Sequence, residues 1–318
     1  MRIRIIEEEI KNPLDKVGVI GLIYAPTGVG KTVSSLKTLP GPKVLVYANE
    51  NRDMRRAIAA SGRDPADFYV VEYGYMEDEN GELEDQGSFD DLINFARAPW
   101  KQLGTDKWEQ VGSVLFDGVT QLCSSLQMEL ERSSFEARDK DKKARPLIDL
   151  SKMGVEGWGA LASNMKRLMP FIGKYASQGK VVILTVLEMD NPTYQKGKDY
   201  GPQIPGVAFP QSIGGMIDII GKVEPRFNED GSPKYPPIIK FECGPLFVDD
   251  GKGNRIHVGQ ENFIQKWSGA RPINKEGTAL MKSVKFELDF NKILNYATSQ
   301  GTITTEANEH GSSTITKE

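Results

Sequence analysis

Short apolar runs, many rich in β-branched residues, alternate along the chain with segments in which apolar residues recur every three or four positions. The short runs have the length of strands, and the periodic segments have the pattern of amphipathic helices. Several strands are apolar throughout, which is typical of a sheet with helices on both faces. The predicted strands are 17–24, 43–48, 68–72, 112–116 and 180–187, and the predicted helices are 31–39, 52–61, 88–98, 120–134 and 155–177.

This alternation of strands and helices predicts an α/β fold with a mostly parallel, doubly wound sheet flanked by helices. Ser88, three residues before Asp91, predicts a capping box at the start of the third helix. In the last of these helices, four apolar residues share one face and are expected to belong to the core: Leu161, Met165, Leu168 and Ile172.

A glycine-rich segment, Ala25-Pro-Thr-Gly-Val-Gly-Lys-Thr32, joins the first strand to the first helix. Such a turn directs backbone N–H groups at phosphate, and glycine lets the backbone approach without a Cβ clash. Lys31 supplies charge for the β- and γ-phosphates and is expected to face solvent without nucleotide, while the Thr32 hydroxyl is a Mg²⁺ ligand. The segment predicts a P-loop for ATP and Mg²⁺, with Ala25 where glycine is usual, formed by Pro26, Thr27, Gly28, Val29, Gly30, Lys31 and Thr32.

Two acidic residues follow other predicted strands. Asp117 ends an apolar strand, where its carboxylate would reach the Mg²⁺ shell directly or through water. Gly118 follows it, so no adjacent glutamate is available as a general base. Glu50, after the strand that follows the P-loop helix, is the candidate that would activate water for hydrolysis, and its alternative role is to cap the next helix.

The composition is that of an ordinary globular protein: the chain has 318 residues, of which 39% are hydrophobic and 26% charged. A net charge of −4 means that nucleic acid could bind only through local basic patches. Two cysteines and two histidines make a zinc site or a Ser-His-Asp triad unexpected, and Cys123 and Cys243 are predicted to be buried thiols. The charged N-terminus and strand-length apolar runs predict no signal peptide and no membrane partner, hence a cytoplasmic location.

The order of these motifs resembles the RecA family: a P-loop, a strand followed by Asn-Glu, a strand followed by Asp-Gly, and a later strand containing a polar residue. The chain looks most like the phage RecA-like single-strand-annealing ATPases, over about residues 15 to 225. This resemblance supports Glu50 as catalytic residue and makes Thr185 the residue near the γ-phosphate, although Val186-Leu-Glu188 departs from the family's usual sequence there. It also implies a host-cytoplasmic location if the chain is phage-encoded.

RecA-like proteins carry DNA on two loops, and the corresponding segments here contain basic and aromatic residues. Lysines can neutralise phosphates and tyrosines can stack bases. The first segment could instead be a solvated connection, and the second a lid or a subunit contact. The candidate DNA-binding residues are Arg138, Lys140, Lys142, Lys143 and Arg145 in the first segment, and Tyr194, Lys196, Lys198 and Tyr200 in the second.

The resemblance implies ATP hydrolysis linked to single-stranded DNA in phage-type recombination, with single-stranded DNA, further copies of the chain and a single-strand-binding protein as partners. Lys222 or Arg226 is the candidate for a cation that acts across a subunit boundary. The alternatives are a ring-forming helicase or remodelling motor, a nucleotide-gated binding module with little hydrolysis, and a small-molecule kinase. We expect an ATPase core at 1–225, a small β-rich extension at 226–298 and a disordered polar tail at 299–318.

Overall fold

The computed structural model describes residues 18–48, 54–77, 83–85, 87–140, 155–190, 192, 200–206, 208–242, 246–249, 255–258, 266–267, 283–298, 305–307 and 313–315. The helices are α1 (Lys31–Thr38), α2 (Met54–Ser61), α3 (Phe89–Arg97), α4 (Trp100–Leu103), α5 (Thr105–Gln110), α6 (Val119–Lys140), α7 (Val155–Ser177), α8 (Ala208–Met216) and α9 (Phe290–Thr298). A 3₁₀ turn, Pro65–Asp67, follows α2.

The first strands in chain order are β1 (Ile20–Ala25), β2 (Lys43–Ala48), β3 (Phe68–Tyr73), β4 (Tyr75–Glu77), β5 (Leu83–Asp85), β6 (Ser113–Asp117), β7 (Val181–Asp190) and β8 (Tyr200–Pro202). The later strands are β9 (Ile219–Phe227), β10 (Pro233–Glu242), β11 (Leu246–Asp249), β12 (Arg255–Val258), β13 (Lys266–Trp267), β14 (Ser283–Glu287), β15 (Thr305–Ala307) and β16 (Ser313–Ile315). The five strands that the sequence predicts correspond to β1, β2, β3, β6 and β7.

Among the described residues, ten of these strands form one sheet, in the order β14-β10-β9-β1-β7-β6-β2-β3, with β8 paired to β7 and β13 to β9. The six strands from β9 to β3 are parallel, whereas β10 and β14 continue the sheet with antiparallel pairing. The predicted α/β class with a mostly parallel sheet is therefore confirmed. The predicted boundary at 225/226 falls inside β9. Beyond it, β10, β13 and β14 belong to the same sheet.

Helices cover both faces of the sheet, which explains why its central strands are apolar throughout. Along β1, Leu22 and Tyr24 pack on one face with residues of α3, α6, α7 and α8. Ile23 and Ala25 pack on the other face with residues of α1, α2 and α9. Alternating side chains of one strand thus enter two separate cores, as the period of two in a strand requires.

Several local predictions are confirmed. The Ser88 hydroxyl accepts a hydrogen bond from the Asp91 N–H, and the Asp91 carboxylate accepts one from the Ser88 N–H. The four α7 residues assigned to the core are at most 2% exposed. Cys123 is fully buried, and desolvation raises the pKa of its thiol to about 12, so this thiol stays protonated; Cys243 lies outside the described residues.

In the segment predicted to be a disordered tail, β15 and β16 pair with each other.

Candidate functional site

The carboxyl ends of β1, β6 and β7 meet at one edge of the sheet. Opposite Thr185 on β7 lies Ile23 of β1, and opposite Leu184 lies Phe116 of β6. The residue after Phe116 is Asp117, and this register therefore brings its carboxylate beside Thr185. The P-loop follows β1 directly, so the loop, the aspartate and the threonine share this edge.

Two glycines of the P-loop adopt backbone conformations that other residues rarely take. Gly28 has a φ of 83° and Gly30 a φ of 96°, both in the left-handed region. Gly30 immediately precedes α1, and its carbonyl accepts the Ser34 N–H at 3.0 Å. The first turn of a helix presents N–H groups that suit an anion, so the loop and the start of α1 together are a candidate phosphate site.

Lys31 does not face solvent, and that expectation from the sequence is wrong. Its side chain is only 9% exposed, and the ammonium donates to the carbonyls of Ala25 at 2.6 Å and Pro26 at 2.9 Å. The reason is the tight turn, which points two carbonyl oxygens at the start of α1, where the lysine stem begins. The loop carbonyls therefore hold the positively charged ammonium of Lys31 beside the candidate phosphate site.

Asp117 organises the candidate metal position. Its carboxylate accepts hydrogen bonds from the Thr32 hydroxyl at 2.9 and 3.0 Å and from the Thr185 hydroxyl at 2.7 Å, and it is 2% exposed. The Gly118 N–H in turn donates to the Thr185 oxygen at 2.8 Å. A carboxylate beside a hydroxyl offers the hard oxygen ligands that Mg²⁺ prefers.

These residues fit Mg²⁺ bound together with a nucleotide. The described part of the chain contains no group of three or more His, Cys, Asp or Glu side chains that would hold a metal alone. Mg²⁺ commonly takes one or two protein oxygens and completes its shell with phosphate and water. Thr32 and Asp117 supply that number, so both would hold the ion beside bound phosphates.

A cavity of about 940 Å³ opens at this edge of the sheet. Its lining includes Gly28, Lys31, Thr32, Asp117 and Thr185. Its volume lies near the upper end of the ~300–1,000 Å³ typical of small-molecule sites, so it has room beyond three phosphates.

The cavity also includes residues that the sequence analysis missed. Gln121, on the first turn of α6, lines it beside Gly118. Tyr235 and Pro236 come from β10, and Leu288 follows β14. No local pattern indicates Tyr235, Pro236 or Leu288, because they line the cavity only once the antiparallel strands β10 and β14 have joined the end of the sheet.

Glu50 lies outside the described residues, so its catalytic role stays a prediction. The strand before it, β2, pairs with β6 so that Tyr47 lies opposite Asp117. Glu50 follows three residues after Tyr47 in the chain.

The two candidate cations for a subunit boundary are both in ion pairs within the chain. The Lys222 ammonium lies 3.1 Å from the Glu188 carboxylate and 3.3 Å from the centroid of the Tyr200 ring. Arg226 lies 2.8 Å from the Glu287 carboxylate. Hydrogen bonding from Lys292, together with Arg226, holds the pKa of Glu287 below its usual value. Either cation would have to exchange its partner to act on a neighbouring subunit.

Most of the candidate DNA-binding residues lie outside what the structure describes. Arg138 and Lys140 belong to α6, but their side chains are not described. Tyr200, on β8, is half-buried, with one ring face against Lys222. The remaining candidates are not described: Lys142, Lys143, Arg145, Tyr194, Lys196 and Lys198.

No family model and no curated protein matches this sequence. Solved structures that partly match the chain include a KaiC-like protein from the hyperthermophilic archaeon Pyrococcus horikoshii OT3, with a TM-score of 0.36 and 11% identity over 70% of this chain and 76% of that one. Another is the RadB recombinase, with a TM-score of 0.39 and 14% identity over 71% of this chain and 80% of that one. At such low TM-scores, these two likenesses support no conclusion about the fold or the ligands of this chain.

Within the described part of the chain, none of the helices is both long and apolar enough to cross a membrane.

Proposed function

We propose that this chain binds ATP together with Mg²⁺ and hydrolyses it. The observation that carries the proposal is the bonding of Asp117 to both Thr32 and Thr185 beside a P-loop with two left-handed glycines. A structural role alone would not need a buried carboxylate, two hydroxyls and an anion-binding helix start around one cavity. Phosphoryl transfer needs this combination, because its catalysis is mostly positioning and charge stabilisation.

Each residue has a distinct task in this proposal. Lys31 leaves the carbonyls of Ala25 and Pro26 and pairs with the terminal phosphates, to which its charge is better matched. Asp117 and Thr32 hold Mg²⁺, which when bound neutralises phosphate charge and aligns the phosphate oxygens. Thr185 fixes the orientation of the Asp117 carboxylate.

Glu50 is the proposed general base. It takes a proton from water as the water oxygen attacks the γ-phosphorus, and the bond from that phosphorus to the β,γ-bridging oxygen breaks. The products are ADP and inorganic phosphate. Removing the base while keeping its shape, as in Glu50→Gln, is expected to slow hydrolysis by ~10²–10⁴-fold and to leave ATP binding intact.

The direct test is single-turnover hydrolysis of ATP by the full chain and by Glu50→Gln, with ATP affinity measured separately by calorimetry. Binding without hydrolysis in the wild type would favour the nucleotide-gated module over the ATPase. Hydrolysis at similar rates in both proteins would give Glu50 a structural role. A wild type that binds no ATP would contradict the whole proposal.

We further propose that the ATPase acts on single-stranded DNA, as in phage-type recombination, and assembles into oligomers. One contact supports a shared surface for the two candidate DNA segments. Trp158, on the first turn of α7, lies against Gly206, and each residue comes after one of the two segments in the chain. A Cβ on Gly206 would be 3.2 Å from the Trp158 ring, so α7 and the chain that follows β8 are in contact there.

Two pairs of substitutions test the DNA surface. Replacing Lys196 and Lys198 by alanine should weaken single-stranded DNA binding and reduce its salt dependence, because each lysine can displace a counterion. Replacing Tyr194 and Tyr200 by alanine should weaken binding with little change in that dependence, because the loss is stacking. The measurement is fluorescence anisotropy of a labelled oligonucleotide over a salt series. Wild-type affinity and slope in both double variants would remove this segment from the DNA surface.

Electron microscopy with and without ATP and single-stranded DNA distinguishes the possible assemblies. Closed rings would favour the helicase or remodelling motor, and DNA-dependent filaments or annealing complexes would favour recombination.

A further inference from the structure

Tyr235 is an exposed aromatic residue that lies directly over the P-loop. Its side chain is 64% exposed, yet its Cε1 atom would be 3.0 Å from a Cβ placed on Gly30. Glycine at position 30 therefore serves two needs, a left-handed backbone and room for this ring. One edge of the ring contacts the loop, and much of the remaining ring surface faces solvent.

The position of Tyr235 follows from an irregularity in the sheet. β10 pairs with β9 through Lys234 opposite Arg226, and the regular register resumes only at Ile238 opposite Glu224. Tyr235 lies in the stretch between these pairs, where the register shifts. Such irregularities bend a strand and re-aim its side chains, and this one directs an aromatic ring from the sheet toward α1.

The cavity lining combines two kinds of side chain. Lys31, Asp117 and Thr185 are charged or polar and suit phosphates. Tyr235, Pro236 and Leu288 are aromatic or apolar, and Lys37, Thr38 and Asp289 line the cavity with them. A ligand that matches this lining carries both an anionic group and a flat apolar group.

Two polar side chains of the cavity lining, Thr38 and Asp289, make hydrogen bonds within the fold. The Thr38 hydroxyl donates to the Ser34 carbonyl at 2.8 Å and accepts the Phe290 N–H at 3.1 Å. The Asp289 carboxylate accepts the Asn291 N–H at 2.9 Å at the start of α9. Among the described residues that line the cavity, Tyr235 is the one aromatic side chain, so it is the group on which a flat ring could stack.

We propose that Tyr235 stacks on the base of the nucleotide whose phosphates lie on the P-loop. This inference rests on the proposed nucleotide binding and assigns the base to the β10 side of α1. It makes a residue from the C-terminal part of the chain a determinant of nucleotide affinity. Aromatic rings suit this task because a base presents a flat π face, and stacking does not need a particular pattern of hydrogen bonds.

The test compares ATP with inorganic tripolyphosphate, which carries three phosphates and no base. Both are titrated with Mg²⁺ into the full chain by calorimetry, in wild type, Tyr235→Ala and Tyr235→Phe. Phe227→Ala is the matched control, because Phe227 is 61% exposed on the neighbouring strand and lies outside the cavity lining.

We expect Tyr235→Ala to lower ATP affinity by about tenfold or more, the size of the loss when one aromatic stacking partner of a base is removed. Tyr235→Phe should keep most of the affinity, because it keeps the ring, and Phe227→Ala should match wild type. Tripolyphosphate should bind all four proteins alike, which also shows that the P-loop is intact in each variant.

Wild-type ATP affinity in Tyr235→Ala would overturn the base assignment while leaving the P-loop proposal standing. An equal loss for ATP and tripolyphosphate would also overturn it, because Tyr235 would then be shaping the loop. A wild type that binds neither compound would overturn the proposed function and the base site together.

Discussion

The Thr185 hydroxyl donates a hydrogen bond of 2.7 Å to the Asp117 carboxylate and accepts one of 2.8 Å from the Gly118 N–H. β7, which carries Thr185, lies between the strand that leads into the P-loop and the strand that ends in Asp117. Thr185 therefore connects the carboxylate of Asp117 to the backbone N–H of the next residue, Gly118, and fixes the orientation of that carboxylate. A group that orients a metal ligand in this way commonly affects metal affinity or activity ~10–100-fold.

Thr185→Val keeps the shape of the side chain and removes both hydrogen bonds. We expect the Mg²⁺ concentration that gives half-maximal ATP hydrolysis to rise by ~10-fold or more, because Asp117 loses its orienting donor. Hydrolysis rates over a Mg²⁺ series measure this directly. Thr185→Ser restores the hydroxyl and should recover the wild-type curve. If the valine variant has the wild-type Mg²⁺ dependence, Thr185 does not act through Asp117.

Lys31→Met keeps most of the aliphatic stem and removes the ammonium. ATP affinity should fall by about 100-fold, because a charge-assisted contact to the terminal phosphates is lost. Stability should also fall, by ~1–3 kcal/mol, because the carbonyls of Ala25 and Pro26 lose their donor. Calorimetric titration and denaturant unfolding measure the two effects separately. Unchanged stability with lost ATP binding would mean that the carbonyl contacts contribute nothing to folding.

Asp117→Asn removes the negative charge and preserves the size of the side chain. ATP binding should weaken much more in Mg²⁺ than in EDTA, because the charge acts through the metal. Asp190→Asn is the control, since Asp190 is an exposed acid near the end of the neighbouring β7 and lies outside the cavity lining. Equal weakening of Asp117→Asn in both buffers would show that Asp117 only shapes the edge of the sheet.

Lys43 lies at the opposite edge of the sheet and makes the free energy of unfolding depend on pH. It is fully buried at the start of β2, and its ammonium donates to the Gly41 carbonyl at 3.0 Å. Desolvation, with a smaller contribution from Arg63, lowers its pKa from 10.5 to about 8. Between these two values the unfolded chain holds a proton that the folded chain has released, so this group makes stability rise with pH.

Lys43→Met should remove that rise, because methionine carries no proton to release. Denaturant unfolding of both proteins at a series of pH values across this window measures the difference. Lys101→Met, at an exposed position, is the control and should keep the wild-type slope. Parallel curves for wild type and Lys43→Met would show that Lys43 has an ordinary pKa in the folded protein.

Much of the candidate site is visible in the sequence because its chemistry is local. The P-loop residues are adjacent in the chain, and the positive φ of Gly28 and Gly30 is a property of those positions. Asp117 is recognisable because it ends a short apolar strand. The strand and helix predictions succeeded for the same reason: periodicity reflects which face of each element is buried, and both faces of this sheet are covered.

The wrong expectation for Lys31 has a physical cause that the sequence does not show. A lysine at the start of a helix is usually assigned to solvent, but this turn directs two carbonyl oxygens at its ammonium. Likewise, position in the chain alone makes Lys222 and Arg226 candidates for a subunit boundary, whereas the structure pairs them with Glu188 and Glu287. The acid that a basic residue meets depends on which strands become neighbours.

The approach of Tyr235 to Gly30 was decided by the tertiary structure alone. No pattern near residue 235 indicates a P-loop, and none near residue 30 indicates an aromatic ring above it. The contact arises because β10 joins the sheet beside β9, two strands from β1, and its register shifts between Lys234 and Ile238. Hydrophobic periodicity and glycine sterics act over a few residues and can be read from the chain. Strand order and register result from packing between distant segments, so they appear only when the whole sheet has formed.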